Sequence, residues 1–102
     1  MFTGNEDQSI SLTTGSTLTK AYRDANPGQT LGNYFGKSIL QSILAQSGCV
    51  GVRIYYALNS TGEKELVITG VTADGNDLCN GVLGDKTFRS PPYSSVNNPL
   101  NS

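Results

Sequence analysis

Residues 48–58, which read GCVGVRIYYAL, alternate between two sets of side chains along their whole length. A period of two is typical of a half-buried β-strand. The set predicted to face the core is Val50, Val52, Ile54, Tyr56 and Leu58. The second set is Gly51, Arg53, Tyr55 and Ala57, which is too apolar for an ordinary solvated face. The pattern therefore predicts a strand whose second face has to be covered.

A hairpin is predicted to follow this strand. Residues 59–62, NSTG, have the composition of a turn, and residues 65–71 are a β-branched run typical of a second strand. Matching the two core faces fixes the register. The predicted pairs are Ile54 with Ile68, Tyr56 with Leu66, Tyr55 with Val67, and Arg53 with Thr69. Another turn at residues 73–76, ADGN, leads to a third predicted strand over residues 77–83.

Two segments ahead of the strands have helical periodicity. From Ser16 to Ala25 the apolar positions recur with helical spacing, and the breaker sequence of residues 26–28, NPG, ends that run. The second segment is more strongly amphipathic. Its apolar stripe consists of Phe35, Ile39 and Ile43, with Leu40 and Leu44 beside it. Asn33 is the predicted cap at its start, and Gly48 the left-handed stop at its end.

These elements predict an α+β fold in which two N-terminal helices pack on a three-stranded antiparallel β-meander. A chain of 102 residues accommodates one domain, so residues 1–102 are predicted to form a single domain. Residues 1–11 and 89–102 are polar and irregular, and we expect them to form extended arms. Two helices cover only one face of such a sheet, because each presents a single apolar stripe.

Charged residues are few and scattered. Seven Lys and Arg against eight Asp and Glu give a formal charge of −1, with no basic run to neutralise several phosphates. We therefore predict no nucleic-acid partner and no membrane partner. No segment approaches the ~20 apolar residues of a membrane span, and residues 1–10 lack the features of a secretory signal. The expected compartment is the cytoplasm, with export after processing as an open alternative.

The two cysteines and the absence of histidine restrict the chemistry. Cys49 and Cys79 cannot form a Cys-His metal site or a four-thiolate site within one chain. The favoured interpretation is that both are small buried apolar residues. A Cys49–Cys79 disulfide is the alternative in an oxidising compartment.

No catalytic constellation is recognisable. The commonest general base is missing, and no nucleophile motif occurs among the many serines and threonines. Residues 74–77 resemble the start of a calcium loop but lack its twelve-residue frame, so a hairpin turn explains them better. We predict a non-enzymatic protein with no cofactor and no metal.

Two stretches carry a resemblance to a known group of sequences. They are FGKSILQSILAQSGCVGVRIYYAL and ELVITGVTADGNDLCNGVL, within residues 35–83. Together they resemble a family of small uncharacterised bacterial proteins, in which an amphipathic helix runs into a G-C-V-G-x-R-I-Y-Y strand and then a D-G-N-D turn. The resemblance extends from about Leu12 to Tyr93 and implies no known activity. Cysteines often bracket a Pro-Pro in those proteins, whereas serines stand at residues 90 and 94 here.

The predicted function follows from the uncovered sheet face. We expect a structural protein that assembles with copies of itself into a homo-oligomer or filament, with that face and the arms as contacts. One alternative is a small adaptor that binds another protein through the same face. Another is a small enzyme with a pocket beneath Tyr56 and Cys79. The predicted interface residues are Arg53, Tyr55, Ala57, Val67, Val71, Phe88 and Tyr93.

Overall fold

A computed structural model describes all 102 residues of the chain and has an α+β fold with two helices and antiparallel sheets. The elements in chain order are α1 (Leu12–Ala25), β1 (Gly32–Tyr34), α2 (Lys37–Leu44), β2 (Cys49–Leu58), β3 (Lys64–Thr72), β4 (Leu83–Gly84) and β5 (Phe88–Ser90). They belong to two compact units. The first unit contains Met1–Glu6 and Phe35–Thr87, and the second contains Asp7–Tyr34 and Phe88–Ser102. Neither helix has the length and apolar content that crossing a membrane would require.

The first unit is built on a three-stranded antiparallel sheet with the order β2-β3-β4. The predicted hairpin register is confirmed at all four pairs, from Arg53 opposite Thr69 to Tyr56 opposite Leu66. The register shifts between Cys49 and Gly51, where a β-bulge interrupts the ladder. Both predicted turns are also present, and each places a glycine, Gly62 or Gly75, at positive φ.

Helix α2 packs against β2 and β3 in this unit and supplies the core. Ile43 of the helix and Ile68 of the central strand are 0% and 1% exposed. The helix is shorter than predicted, because it begins after Gly36 and ends at Leu44. Asn33 lies in β1, so its predicted role as the cap is wrong.

The third strand is much shorter than predicted. Of the predicted residues 77–83, only Asp77 forms an isolated bridge, to Val71, before β4 begins at Leu83. The chain turns between them, since the Gly81 N–H donates to the Leu78 carbonyl. A third antiparallel strand is therefore confirmed at Leu83–Gly84, but its predicted bounds are wrong because the turn occupies the middle of the segment.

The second unit contains α1 and a two-stranded sheet that the periodicity did not predict. Helix α1 begins four residues earlier than expected, because the Ser11 hydroxyl accepts a hydrogen bond from the Thr14 N–H and caps the first turn. Strands β1 and β5 pair antiparallel. The Arg23 guanidinium donates to the Leu100 carbonyl at 2.8 Å and joins the C-terminal segment to the helix. Packing of α1 on the meander and a single folding domain stay predictions.

Candidate functional site

The most exposed apolar surface of the first unit follows one face of β2. This apolar stripe consists of Val52, Ile54, Tyr56 and Leu58, which are 39%, 46%, 94% and 70% exposed. These are the side chains that the alternation assigned to the core. The prediction that Tyr56 is a core residue is therefore wrong, and the face of β2 expected to be covered is open.

Element lengths explain why the turn end of the stripe, Tyr56 and Leu58, is the most exposed. Val52 and Ile54 are open for another reason, because they stand on the edge strand beside the buried Gly70 and Ile68. An α-helix rises 1.5 Å per residue, so the eight residues of α2 extend only about 12 Å. The ten residues of β2 extend about 33 Å. Within the covered part, Ile39 and Ile68 lie so close to Gly84 that a Cβ there would contact both. The rest of the β2–β3 hairpin extends beyond the helix and leaves its apolar side chains in solvent.

The second face of the sheet, which we expected to be open, is covered over its central strand. Thr69 and Val71 on this face are 3% and 4% exposed. The side chains of Arg53 and Tyr55 start on β2 and reach Asp77 on the far side of β3. These two side chains therefore cross the central strand and cover this face of it.

Arg53, Tyr55 and Asp77 form a polar cluster. The Arg53 guanidinium donates to one carboxylate oxygen of Asp77, and the Tyr55 hydroxyl donates to the other. Arg53 also donates to the Gly75 carbonyl at 3.2 Å, so it anchors the turn before Asp77. Sequence reasoning identified Arg53 and Tyr55 but placed Asp77 only in a turn or strand. No local pattern shows that one residue, 22 positions from Tyr55 and 24 from Arg53, accepts both hydrogen bonds.

The cluster shifts the protonation equilibria of its members. The hydrogen bond from Tyr55, with the hydrogen bond and positive charge of Arg53, lowers the pKa of the Asp77 carboxyl. The same carboxylate, by accepting a hydrogen bond from the Tyr55 hydroxyl, raises the pKa of that hydroxyl. A tyrosine that acts as a general base needs the opposite shift, so this arrangement favours an anchoring role for Tyr55.

The other predicted interface residues are in varied surroundings. Ala57 and Val67 are partly buried, and Val71 is too buried to offer surface. Phe88 and Tyr93 lie in the second unit, where their rings pack against each other at a tilt of 51° with centroids 4.9 Å apart. A shallow depression in the first unit is lined by Ile39, Val67, Leu83, Gly84, Asp85 and Lys86. It includes neither Tyr56 nor Cys79, beneath which an enzymatic pocket was considered.

The two cysteines are free thiols. Cys49 is partly buried, and its thiol lies 3.2 Å from the Gly51 carbonyl. Cys79 is exposed, which corrects the interpretation that both cysteines are buried. The alternative disulfide is not formed in this structure.

Strand β2 also has an unpaired edge. In the order β2-β3-β4 it has a single neighbour, so one side of a ten-residue strand carries backbone groups without a strand partner. The apolar stripe and this free edge belong to the same residues. Together they present a surface of the kind that binds another β-strand.

Comparison with known proteins identifies no relative. The resemblance to small bacterial proteins stays a prediction. No protein-family model, no curated protein and no solved structure matches this chain.

Proposed function

We propose that this chain is a non-enzymatic structural subunit that assembles with copies of itself through β2. The observation that carries the proposal is the exposure of the apolar stripe, and above all of Tyr56, on an unpaired edge strand. An exposed, long, hydrophobic edge is a strong template for association between chains. Tyrosine is also enriched among the residues that dominate binding energy.

The charge distribution supports association. Arg53 is the one charged residue of β2, and its guanidinium already pairs with Asp77. An approaching copy would therefore desolvate no unpaired charge along the strand. This matters because burying an unpaired charge costs far more than burying an apolar side chain contributes.

The contact surface in this proposal differs from the one that the sequence suggested. Arg53 and Tyr55 act inside the subunit by covering the second face, whereas the first face of β2 makes the contacts. The arms of residues 1–11 and 89–102 have a secondary role as further contacts between copies. The product is a homo-oligomer or a filament.

The second candidate is a small adaptor that binds a different protein through the same surface. The free edge favours it too, because strand addition uses main-chain hydrogen bonds that any extended segment supplies. The two candidates differ in what happens to the purified chain. A self-assembling subunit associates alone, whereas an adaptor stays monomeric until its partner is added.

The test compares Tyr56→Asp with the unchanged chain by size-exclusion chromatography with light scattering. We expect the unchanged chain to form oligomers and Tyr56→Asp to be monomeric, since the new charge would be buried in the contact. The matched control is Leu18→Asp, which places the same charge at another exposed apolar position, 60% exposed and outside both β2 and the arms. If the unchanged chain stayed monomeric at high concentration, this result would contradict the proposal and favour the adaptor.

A further inference from the structure

The backbone of β2 determines which groups the free edge offers. The Asn59 N–H donates to the Glu63 carbonyl at 2.9 Å and closes the β2–β3 ladder at its turn end. Hydrogen-bonded and non-hydrogen-bonded pairs alternate along an antiparallel ladder. The odd-numbered residues of β2 therefore bond to β3, and the even-numbered ones direct their N–H and C=O groups outward.

The far side of β3 confirms this assignment. The Leu78 N–H donates to the Gly70 carbonyl at 2.8 Å, so Gly70 bonds away from β2. Gly70 is the partner of Val52, which must then also bond away from β3. The outward backbone groups consequently belong to the apolar stripe itself, Val52 through Leu58.

We infer that two copies of this chain pair β2 to β2 antiparallel about a two-fold axis at Tyr55, and so form a continuous six-stranded sheet. This inference rests on the proposed function and names its partner and register. The register places Ile54 opposite Tyr56 of the second copy and Val52 opposite Leu58. All four outward residues of each strand are then paired, which gives eight hydrogen bonds between the strands.

Neighbouring registers are poorer. A shift of the axis to Ile54 or Tyr56 pairs only three outward residues per strand, because the bulge at Cys49–Gly51 and the turn after Leu58 end the ladder. An axis at Arg53 would place the two guanidinium-bearing residues directly opposite each other, which is unfavourable. The axis at Tyr55 instead places Arg53 opposite Ala57.

The side chains suit this pairing on both faces. On the first face, the two apolar stripes become adjacent and bring an aromatic residue, Tyr56, against a β-branched one, Ile54, a favourable cross-strand pair. On the second face, Tyr55 and Arg53 are directed across β3 to Asp77, away from the free edge. From Val52 to Leu58 the edge has no lysine, proline or bulge, the features by which monomeric proteins protect such edges.

The pairing also predicts where assembly stops. A two-fold interface is closed, since each copy uses the same surface. The other edge of the sheet is β4, which has only two residues and offers too little ladder for a further copy. Strand pairing through β2 therefore yields a dimer.

A cysteine scan measures the register. Three single cysteines, Tyr55→Cys, Ile54→Cys and Tyr56→Cys, are introduced separately into the full chain carrying Cys49→Ser and Cys79→Ser. Only residues on the axis face themselves, at a Cα separation of about 4.5 Å that suits a disulfide. Residues one position away lie beyond the ~7 Å limit. We expect mild oxidation to link Tyr55→Cys into a covalent dimer and to leave the other two unlinked.

The outcomes separate the inference from the proposed function. Linkage at residue 54 or 56, or oligomers by light scattering with no linkage at any of the three, overturns the inference and leaves self-assembly standing. A chain that is monomeric at all concentrations overturns both. Binding of a foreign extended peptide by a monomeric chain would identify the adaptor instead.

Hydrogen exchange on the unmutated chain provides a second measurement that needs no variant to fold. In the dimer, the amides of Val52, Ile54, Tyr56 and Leu58 are hydrogen-bonded, and dilution to monomer exposes them. We expect their exchange to accelerate on dilution while the amides of Arg53 and Tyr55, bonded to β3, stay slow. If the four outward amides of a dimer exchanged no faster after dilution than before it, the inference would be overturned.

Discussion

Asp77 accepts hydrogen bonds from both side chains that cross β3 on the second sheet face. Its carboxylate is more acidic in the folded chain than its ordinary pKa of 3.8. Because the pKa of this carboxyl is lower in the folded chain than in the unfolded chain, the carboxylate stabilises the fold at pH values above its ordinary pKa. This stabilisation is lost as the pH falls through the lowered pKa of the folded chain. The raised pKa of Tyr55 matters at alkaline pH. The protonated hydroxyl stabilises the fold below about pH 10, and this stabilisation is lost as the pH rises through the raised pKa of the folded chain.

We predict that Asp77→Asn lowers the stability of the fold at pH 6 and that the difference from the unchanged chain shrinks as the pH falls below 3.8. Urea denaturation over a series of pH values measures this. Asp74→Asn, at an exposed aspartate in the preceding turn, is the control and should leave the profile unchanged. A constant deficit for Asp77→Asn at every pH would show that its carboxylate charge is not involved.

At the scale of elements, the sequence predicts which strand residues pair better than it predicts which sheet residues a helix covers. The hairpin register was predictable from Ile54, Tyr56 and their partners, because the period of two leaves one register that aligns the apolar faces. The exposure of the apolar stripe was not predictable, since it depends on which part of the sheet α2 covers and on β2 being an edge strand. Strands β1 and β5 were missed because three residues carry no periodicity and because α2, β2, β3 and β4 lie between them along the chain. Asp77 was missed for a related reason, the distance along the chain to Arg53.

Helix α2 should stabilise the first unit mainly through Ile43. We predict that Ile43→Ala costs about 2–5 kcal/mol, since the side chain is fully buried and leaves a cavity. The next residue of the helix, Leu44, provides the control. Leu44→Ala, at a side chain that is 50% exposed, should cost about 1 kcal/mol or less. Equal losses in urea denaturation would mean that the helix does not pack by this face.

Strand β4 approaches the helix at a glycine. A Cβ on Gly84 would lie 2.6 Å from the Ile68 side chain and 3.0 Å from that of Ile39. We therefore predict that Gly84→Ala destabilises the chain by about 1–3 kcal/mol through overpacking. Gly51→Ala is the matched control within the same sheet, because no atom lies within 4 Å of its Cβ position. A thermal melt in which both variants behave alike would contradict this packing.

The whole molecule has a near-neutral surface of seven basic and eight acidic residues, and the contact strand has one charge that is already paired. Association through β2 should therefore respond weakly to salt. We predict that the dissociation constant of the oligomer changes by a factor of about five or less between low and high NaCl, since the Arg53–Asp77 pair lies within one subunit and no ion pair joins the copies in the proposed contact. Sedimentation equilibrium measures it. A steep weakening with salt would indicate that ionic contacts hold the copies together.

The unpaired edge of β2 has a consequence for the chain during biosynthesis. If the proposed pairing holds, a newly made molecule exposes this apolar edge strand to other incompletely folded chains until a second copy binds, and exposed edge strands of this kind promote misassembly. Dilute chains are thus at greater risk than abundant ones, because homologous encounters protect the strand.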